Sequence, residues 1–398
     1  MMDLYSIIQL ISWLAVGLIM FLTAATICFD FGAGILARFV GKNENEKRTI
    51  INIVAPTWDG NQVWLIIAGA GLFAIWPRVY AGSFSGMYLG ILVVLWALFL
   101  RPVSFEYRHK IQSVKWTRFW DWMLCLGSFI PILVIGVAVG NLFLGLPFQF
   151  DPESLRFYYG AQGVLGQEPA FFSLLGLLMP FALLVGIFAV VLSVMHGASY
   201  CAMRTSGVLY HRFVKIQKIS AFLFILLFAI AGIWLVFISG YHWQLSAGLT
   251  SYSQAIFHPL KGGVVTLTKG GWLTNYSIYP WMIIAPVIGF LGALMVMKFA
   301  TKHTVLAFSG SVLACLGSVF TMGFSLFPFI MPSSLSPQQS FVIWNSSSSL
   351  TSLIGILIVA IIMLPIIFIY TTFVYKKMWG RGVKLTPEEV QQRSHELY

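Results

Sequence analysis

Long apolar runs dominate the chain, and most of them continue for about twenty residues without alternating. About twenty apolar residues is the length that a helix needs to cross ~30 Å of hydrocarbon, whereas the strands of a membrane barrel alternate polar and apolar residues. The pattern predicts an all-α polytopic membrane protein, one integral membrane domain over residues 1–398 with nine transmembrane helices. The predicted spans are about 7–35, 61–77, 79–100, 120–145, 171–195, 214–239, 278–298, 304–331 and 350–375.

Two local signals predict structure between and after the spans. The second span ends at Trp76-Pro77, and little more than Arg78 separates it from the third, so we expect a tight antiparallel hairpin. Near the end of the chain, the segment 386–389 reads Thr-Pro-Glu-Glu. A Thr N-cap, a Pro at the first helical position and a Glu at the third favour a short helix there.

The basic residues predict the orientation. If the N-terminus lies outside, 20 of the 24 Lys and Arg residues fall in segments that face the cytoplasm, alternating loop by loop. This bias is the usual mark of cytoplasmic loops. We therefore expect the N-terminus outside and a cytoplasmic tail at 376–398.

Composition supports the membrane assignment. Apolar residues make up 59% of the chain and charged residues 9%, against about 25% charged residues in a typical soluble domain. A lipid bilayer is the expected surrounding. The net charge of +11 follows from the predicted topology, so it does not indicate a nucleic-acid partner.

Four acidic residues stand out because charge near the centre of a span costs roughly 2.5–3.5 kcal/mol. They lie toward the cytoplasmic ends of the first four predicted spans: Asp30, Asp59, Glu106 and Asp121. Carboxylates at that depth are suited to relaying protons between the cytoplasm and a buried reaction centre.

Each of these acids also has a structural interpretation. Glu106 would pair with Arg101 or Arg108 at the membrane surface. Asp30 is the hardest to explain in this way, because the apolar run continues through Leu36 beyond it.

The other two acids would stabilise the N-terminal ends of helices. Asp59 would be an N-cap, with Gln62 three residues later resembling a capping box. Asp121 would lie in the first turn of a helix, between two interfacial tryptophans, where the helix dipole favours an anion.

Histidines and cysteines give no sign of a metal or haem site. The seven histidines all fall in loops or at span ends, and only His196, at the end of the fifth span, is a weak candidate ligand that we expect to be interfacial. We therefore expect no haem bound by this chain. The four cysteines lie in or beside apolar runs without a CxxC pair, and we interpret them as small packing residues with neither a disulfide nor a metal.

Several longer motifs are spread over nearly the whole chain. They are FDFGAG at 29–34, APTWDGNQVWL at 55–65, RPVSFEYR at 101–108, WDW at 120–122 with GSFIP at 127–131, FPFIMP at 327–332 and the terminal Tyr398. In these motifs the chain closely resembles subunit II of the cytochrome bd ubiquinol oxidases.

The resemblance implies a fold and a function. Nine helices would form two four-helix bundles plus one peripheral helix, in a multi-pass protein of the bacterial inner membrane. The complex would oxidise ubiquinol and reduce dioxygen to water in aerobic respiration, generating a proton gradient without pumping. Subunit I, the expected heterodimer partner, would carry haems b558, b595 and d. Subunit II would support assembly and haem retention and hold a possible structural ubiquinone, and a small single-span accessory subunit is also expected.

The resemblance also implies roles for individual residues. The acids of the proposed proton pathway would be Asp30, Asp59 and Glu106, while interface or supporting residues would be Trp58, Asn61, Trp64 and Arg101. One departure concerns this pathway, because Ile27 and Cys28 stand where the family often has Asp-Gly.

Two other interpretations compete with the oxidase. A proton-coupled secondary transporter would use Asp30 and Asp59 as coupling carboxylates. Such transporters usually show two related halves with broken helices at the midplane, and spans five to nine contain no second acid pair, which counts against this reading. The other alternative is a scaffolding subunit whose acids only cap helices.

Overall fold

The computed structural model describes residues 3–160, 175–252, 254, 262–379 and 384–392. This part of the chain is mainly helical. Its helices, in chain order, are α1 Leu4–Val40, α2 Glu44–Val54, α3 Trp58–Ile75, α4 Pro77–Gly86, α5 Tyr88–Tyr107, α6 Val114–Leu144, α7 Pro180–Arg204, α8 Gly207–Leu235, α9 Thr274–Ile278, α10 Ile284–Phe299, α11 Thr304–Leu326, α12 Ile343–Ser346, α13 Leu350–Trp379 and α14 Pro387–Gln392.

Eight of these helices are long and apolar enough to cross a membrane: α1, α5, α6, α7, α8, α10 with the 3-10 turn that precedes it, α11 and α13. The expectation of an all-α polytopic membrane protein is therefore confirmed. The predicted second span, 61–77, corresponds to α3. That helix is 18 residues long and begins with the polar run Asp-Gly-Asn-Gln after Trp58, and it is not among the eight.

The expected hairpin between the second and third spans is wrong. Trp76 has φ −128° and ψ 71°, which breaks the helix, and Pro77 then starts the extra helix α4 at its first position. The third span consequently begins at Tyr88 and not at residue 79. Helix α3 packs against α1, whereas α5 packs against α6.

Two other spans are shifted from their predicted bounds. Residues 171–174 of the fifth predicted span lie outside the described residues, and helix α7 runs from Pro180 to Arg204 because polar residues near its end are buried and hydrogen-bonded. The eighth span ends at Leu326, since the residue before Pro328 is disfavoured in a helix.

The spanning helices pack in two groups. In the first, α7, α8, α10 and α11 each pack against two of the others, and we call these four helices the closed group. In the second, α1 packs with α3 and α6, and α6 packs with α5, but α3 and α5, described along their whole lengths, do not pack along each other. We call α1, α3, α5 and α6 the open group.

The two groups meet where α7 packs against both α1 and α6. A Cβ atom on Gly32 would collide with the Ser193 carbonyl, and one on Gly197 would lie 2.6 Å from the Ala33 nitrogen, so only glycine permits this approach. Helix α13 lies at the edge of the open group, in contact with α1 and α3.

Three small antiparallel hairpins follow the C-terminal ends of α6, α8 and α11. Their strands are β1 Phe148–Asp151 with β2 Arg156–Tyr159, β3 Ser239–Leu245 with β4 Gly263–Lys269, and β5 Phe329–Met331 with β6 Phe341–Val342. The hairpins surround a buried aromatic cluster in which Trp272 donates a hydrogen bond to the Phe143 carbonyl at 2.9 Å. Apolar runs alone did not predict these strands, because hydropathy over about twenty residues indicates spanning helices and not hairpins between them.

The expected helix near the C-terminal end of the chain is present as α14. The hydroxyl of Thr386 accepts a hydrogen bond from the Glu389 N–H at 3.2 Å, and the Glu389 carboxylate accepts one from the Thr386 N–H at 3.1 Å. These reciprocal bonds are a capping box. The helix packs against α2.

Candidate functional site

A buried ion pair joins three helices of the open group. Arg101 on α5 donates from Nη2 to Oδ2 of Asp30 on α1 at 2.8 Å, and both side chains are fully buried. The other guanidinium nitrogen, Nη1, donates to the Ser128 hydroxyl on α6. The Phe31 ring lies under the guanidinium, and Cζ of Arg101 is 3.9 Å from the centre of this ring. A single arginine therefore connects α1, α5 and α6.

Small residues make room for this arginine. A Cβ atom on Gly34 would collide with the Ser128 hydroxyl and lie 3.3 Å from Nη1 of Arg101. A Cβ atom on Gly127 would lie 3.1 Å from Arg101 Cγ and 2.8 Å from the Ala97 carbonyl. The motifs at 29–34, 101–108 and 127–131 thus meet at one site, which explains why glycines and charged residues occur together in them.

The ion pair leaves polar atoms without partners. Within the described residues, Oδ1 of Asp30 and Nε of Arg101 are buried and make no hydrogen bond. The Tyr375 hydroxyl on α13 interacts electrostatically with Asp30 and donates to Oδ1 of Asn61 at 2.8 Å. Polar groups therefore lead from Asp30 toward the start of α3. Buried polar atoms usually find a partner, and a water molecule or another chain can supply one here.

The other two predicted acids lie on the surface of the chain. Asp59 and Glu106 are both exposed, so the structure does not bring them into contact with buried Asp30. Asp59 lies on an exposed stripe of α3 that is otherwise apolar, and Glu106 lies on a similar stripe of α5. The exposed apolar residues are Val63, Ile66 and Phe73 on α3 and Leu95, Trp96 and Phe99 on α5.

The N-cap interpretation of Asp59 is wrong. The N-cap residue of α3 is Thr57, and Asp59 is the second residue of the helix. Gln62 therefore cannot complete a capping box with Asp59. At this position the positive end of the helix dipole still favours a carboxylate.

The expected pairing of Glu106 is also wrong. Arg101 is turned inward to Asp30, and Arg108 is bonded to Asp121 and Glu44. Glu106 lies on the opposite, exposed side of α5. The two arginines near Glu106 in the sequence are thus ion-paired with other acids.

Asp121 belongs to an ion-pair network and not to the first turn of a helix, because α6 begins at Val114. Its carboxylate binds Lys47 Nζ and Arg108 Nε, both at 2.7 Å. Arg108 also makes two bonds to Glu44, at 2.6 and 2.9 Å. Burial lowers the pKa of Arg108, but the bonds and charges of these two acids outweigh burial and raise it above its ordinary value.

A neighbouring ion pair attaches α2 to α8. The Glu46 carboxylate accepts hydrogen bonds from the Lys42 N–H and from Arg212 Nη1, both at 2.7 Å. Burial raises the pKa of Glu46, but these bonds outweigh it, so the pKa is lower than the ordinary value. The sequence analysis missed α2 and its ion pairs. The available signal was Asn43, which caps the helix by accepting from the Glu46 N–H.

The two predicted supporting tryptophans hold α3 in place. Trp58 stacks on Phe105 of α5, with ring centres 5.1 Å apart and an angle of 13° between the ring planes. Trp64 is buried, and its carbonyl accepts a hydrogen bond from the Thr23 hydroxyl of α1 at 3.1 Å. Their contacts link α3 to both neighbours.

The expectation that His196 is interfacial is wrong. The residue lies inside α7 and is fully buried, stacked on Phe308 with ring centres 5.0 Å apart. Its Nε2 donates to the Ala25 carbonyl at 3.0 Å, and Nδ1 bonds to the Ser311 hydroxyl at 2.7 Å. Because both ring nitrogens have protein partners, this residue does not fit an axial haem ligand.

The four cysteines are buried and free. The thiols of Cys28 and Cys315 are hydrogen-bonded to each other, and Cys201 is buried in an apolar cluster. This placement agrees with their interpretation as small packing residues.

Comparisons with known proteins agree with the motifs. The family model described as cytochrome bd terminal oxidase subunit II matches residues 8–378. The chain is 41% identical to cytochrome bd-I ubiquinol oxidase subunit 2 of Escherichia coli K12, over 99% of both chains. It is 31% identical to cytochrome bd ubiquinol oxidase subunit 2 of Bacillus subtilis, over 88% of this chain and 90% of the relative.

A solved structure shares the fold. It is that of the bd oxidase from Geobacillus thermodenitrificans, and the match has a TM-score of 0.67 and 13% identity over 94% of this chain and 99% of that chain. At this identity the match supports the fold alone. On the family model and the full-length relatives, the chain belongs to the cytochrome bd terminal oxidase subunit II family.

Proposed function

We propose that this chain is the second large subunit of a bd-type quinol oxidase, which oxidises ubiquinol and reduces dioxygen to water in aerobic respiration. Full-length similarity to ubiquinol oxidase subunits supports this function. The chain would contribute to an oxidoreductase without carrying the redox chemistry itself. The transporter alternative has no support, because the helices of the closed group contain no Asp or Glu to match the acids of the open group.

The proposed topology has nine spans in one integral membrane domain over residues 1–398, with α3 as the ninth span. The N-terminus is outside and the tail cytoplasmic, in a multi-pass protein of the bacterial inner membrane. The distribution of basic residues supports this orientation. The closed and open groups are candidates for the two four-helix bundles, and α13 for the peripheral helix.

Subunit I is proposed to cover the exposed face of α3, α5 and α13. Asp59 and Glu106 lie on this face among apolar side chains, where lipid would solvate a carboxylate poorly. Helix α13 is also largely exposed, with Ile361, Phe368 and Ile369 more than 60% accessible. A second membrane subunit provides polar partners that hydrocarbon does not.

The haems b558, b595 and d are proposed to lie in subunit I. When bound, they supply electron transfer and the reduction of dioxygen. This chain would support their retention through the contact between subunits. A structural ubiquinone and a small single-span accessory subunit also belong to the proposal, on the strength of the family resemblance.

A proton pathway is proposed through Asp30, Asp59 and Glu106. The free oxygen of Asp30 and the nearby Tyr375 and Asn61 support a polar route from the buried ion pair toward Asp59. Ile27 and Cys28 are buried among apolar residues, so the route in this chain would work without the additional family acid.

Co-expression tests the proposed function. Subunit I should yield a complex with haem bands and quinol-dependent oxygen consumption only when this chain is present. This chain alone should aggregate in detergent. A haem-loaded, fully active subunit I in its absence, or a monodisperse solitary form of this chain, would contradict the proposal.

Glu106→Gln tests the pathway. Because Glu106 makes no ion pair within the described residues, the variant should assemble with normal haem content yet consume oxygen several-fold more slowly per haem d. Glu388→Gln, an exposed carboxylate on α14, is the matched control and should behave like the parent. Equal turnover in the two variants would remove Glu106 from the pathway.

A further inference from the structure

A cavity of about 470 Å³ lies beside the C-terminal end of α1, where this helix meets α2 and α6. This volume falls within the roughly 300–1,000 Å³ typical of small-molecule sites. The cavity is lined by Arg38, Phe39, Gly41, Lys42, Lys47 and Arg118. Four of the six lining residues are basic, and none is acidic.

Most of this positive charge is not neutralised within the chain. Lys47 is bonded to Asp121. Arg38, Lys42 and Arg118 form no ion pair in the part of the chain that the structure describes. In addition, Nε of Arg38 is buried and makes no hydrogen bond there. Three cations around one cavity repel one another, so an anion that binds among them relieves this repulsion.

Two exposed aromatic side chains, Phe39 and Trp122, lie at the cavity. Phe39 is 63% exposed and Trp122 is 40% exposed, and their rings meet edge to face at 6.0 Å. The Arg38 guanidinium lies over the Trp122 ring, 4.7 Å from its centre. Tryptophan is enriched at the level of lipid headgroups, and basic pockets between membrane helices are suited to anionic headgroups.

We propose that this cavity binds the phosphodiester headgroup of an anionic phospholipid. The phosphate lies among Arg38, Lys42 and Arg118, and the acyl chains run along Phe39 and Trp122. Arginine suits this role because its fixed fork of N–H donors matches the oxygens of a phosphate. The site is separate from the proposed proton pathway and does not depend on it.

Lipid retention by the purified heterodimeric complex tests the site. The complex is delipidated in detergent and titrated with phosphatidylglycerol or phosphatidylcholine, and bound lipids are counted by native mass spectrometry. The test variant is Arg38→Gln/Arg118→Gln. The matched control is Lys215→Gln/Lys302→Gln, which removes two exposed charges elsewhere on the chain. A charge-conserving variant, Arg38→Lys/Arg118→Lys, separates loss of charge from misfolding.

The parent complex should retain one phosphatidylglycerol that phosphatidylcholine does not replace. The glutamine variant of the cavity should bind it about 30-fold more weakly, corresponding to roughly 1 kcal/mol for each charge removed. The control and the lysine variant should retain it. Equal retention in parent and glutamine variant would overturn the proposal. Displacement of phosphatidylglycerol by inorganic phosphate at millimolar concentration would also overturn it, because the site would then select a soluble anion.

Discussion

The closed and open groups are both four-helix assemblies in one chain, yet they differ in their acidic residues. The helices of the closed group contain no Asp or Glu. Each helix of the open group carries one acid, and the four are Asp30, Asp59, Glu106 and Asp121. The acids of these eight helices are thus confined to the open group.

The closed group is held by direct backbone contact. A Cβ atom on Gly292 would lie 2.5 Å from the Gly310 carbonyl, and Gly317 packs directly against Gly289. Such small residues allow membrane helices to approach closely and gain dispersion energy where the hydrophobic effect gives no preference.

Buried polar atoms without partners occur in both groups within the described residues, but only in the open group is one of them a carboxylate oxygen. Asp30 Oδ1, Asn61 Nδ2 and Gln62 Nε2 are buried without hydrogen bonds in the described part of the chain. Unpaired buried polar atoms cost about 1–3 kcal/mol each in comparable sites. A buried carboxylate with an unpaired oxygen is suited to a contact with water or with another chain, which is consistent with the proposed proton pathway.

The largest effect is expected for Arg101→Met. The substitution leaves Asp30 buried without a counter-charge, which costs about 3–5 kcal/mol. The yield of haem-loaded complex should collapse, as measured by the haem d band per unit of membrane protein. The double variant Asp30→Asn/Arg101→Met should recover part of the yield, because it leaves no isolated charge. Normal yield from the single variant would show that the ion pair is unimportant for assembly.

Gly292→Val should disrupt the closed group. The added side chain must displace α11, and overpacking of this kind costs typically about 1–3 kcal/mol. Gly232→Val is the matched control, since a Cβ atom there meets nothing within 4 Å. The melting temperature of the complex should fall for the first variant only. Equal melting temperatures would mean that the close contact does not stabilise the closed group.

His196→Ala should weaken the junction between the two groups while leaving haem chemistry intact. The variant loses one buried hydrogen bond to α1 and one to α11, each worth about 0.5–1.5 kcal/mol. The complex should melt earlier but keep every haem band, whereas His211→Ala, an exposed control, should change neither. Loss of one specific haem band would instead identify His196 as a ligand.

The smallest effect concerns the pH dependence of the Glu46–Arg212 pair. The pKa of Glu46 is lower in the folded protein than its ordinary value of 4.5. The pair therefore stabilises the protein above about that pH and stops doing so as the pH falls through the folded-state pKa. Glu46→Gln should destabilise the complex at pH 7 by about 0.2–1 kcal/mol. The difference in melting temperature should vanish in acid, and a difference that persists there would exclude the ion pair as its cause.

Hydropathy and motif spacing predicted the helical membrane fold and singled out Asp30, because an acid inside a long apolar run needs a special environment. They did not identify Arg101 as its partner, since the two residues lie 71 positions apart and meet only when α1 packs near α5. The bounds of α7 were wrong for a related reason. Buried Ser199 bonds to the Met195 carbonyl and continues the helix past the apolar run, which places His196 inside it.

Motifs of adjacent residues predicted correctly those features that depend only on residues close together in the sequence. The capping box at Thr386 depends on residues three positions apart, and it is present. The network of Asp121, Lys47, Arg108 and Glu44 joins distant segments, so adjacent sequence could not reveal it.

Asp59→Asn separates the proposed proton transfer through the open group from a purely structural role. Because Thr57 is the N-cap of α3, the substitution removes a titratable group without removing a cap. The measurement is oxygen consumption with a soluble quinol per haem d, across pH, in parent, Asp59→Asn and Asp59→Glu complexes. The account predicts full haem content with strongly reduced turnover for the Asn variant and partial activity for the Glu variant. Full turnover of a fully haem-loaded Asp59→Asn complex at every pH would contradict it.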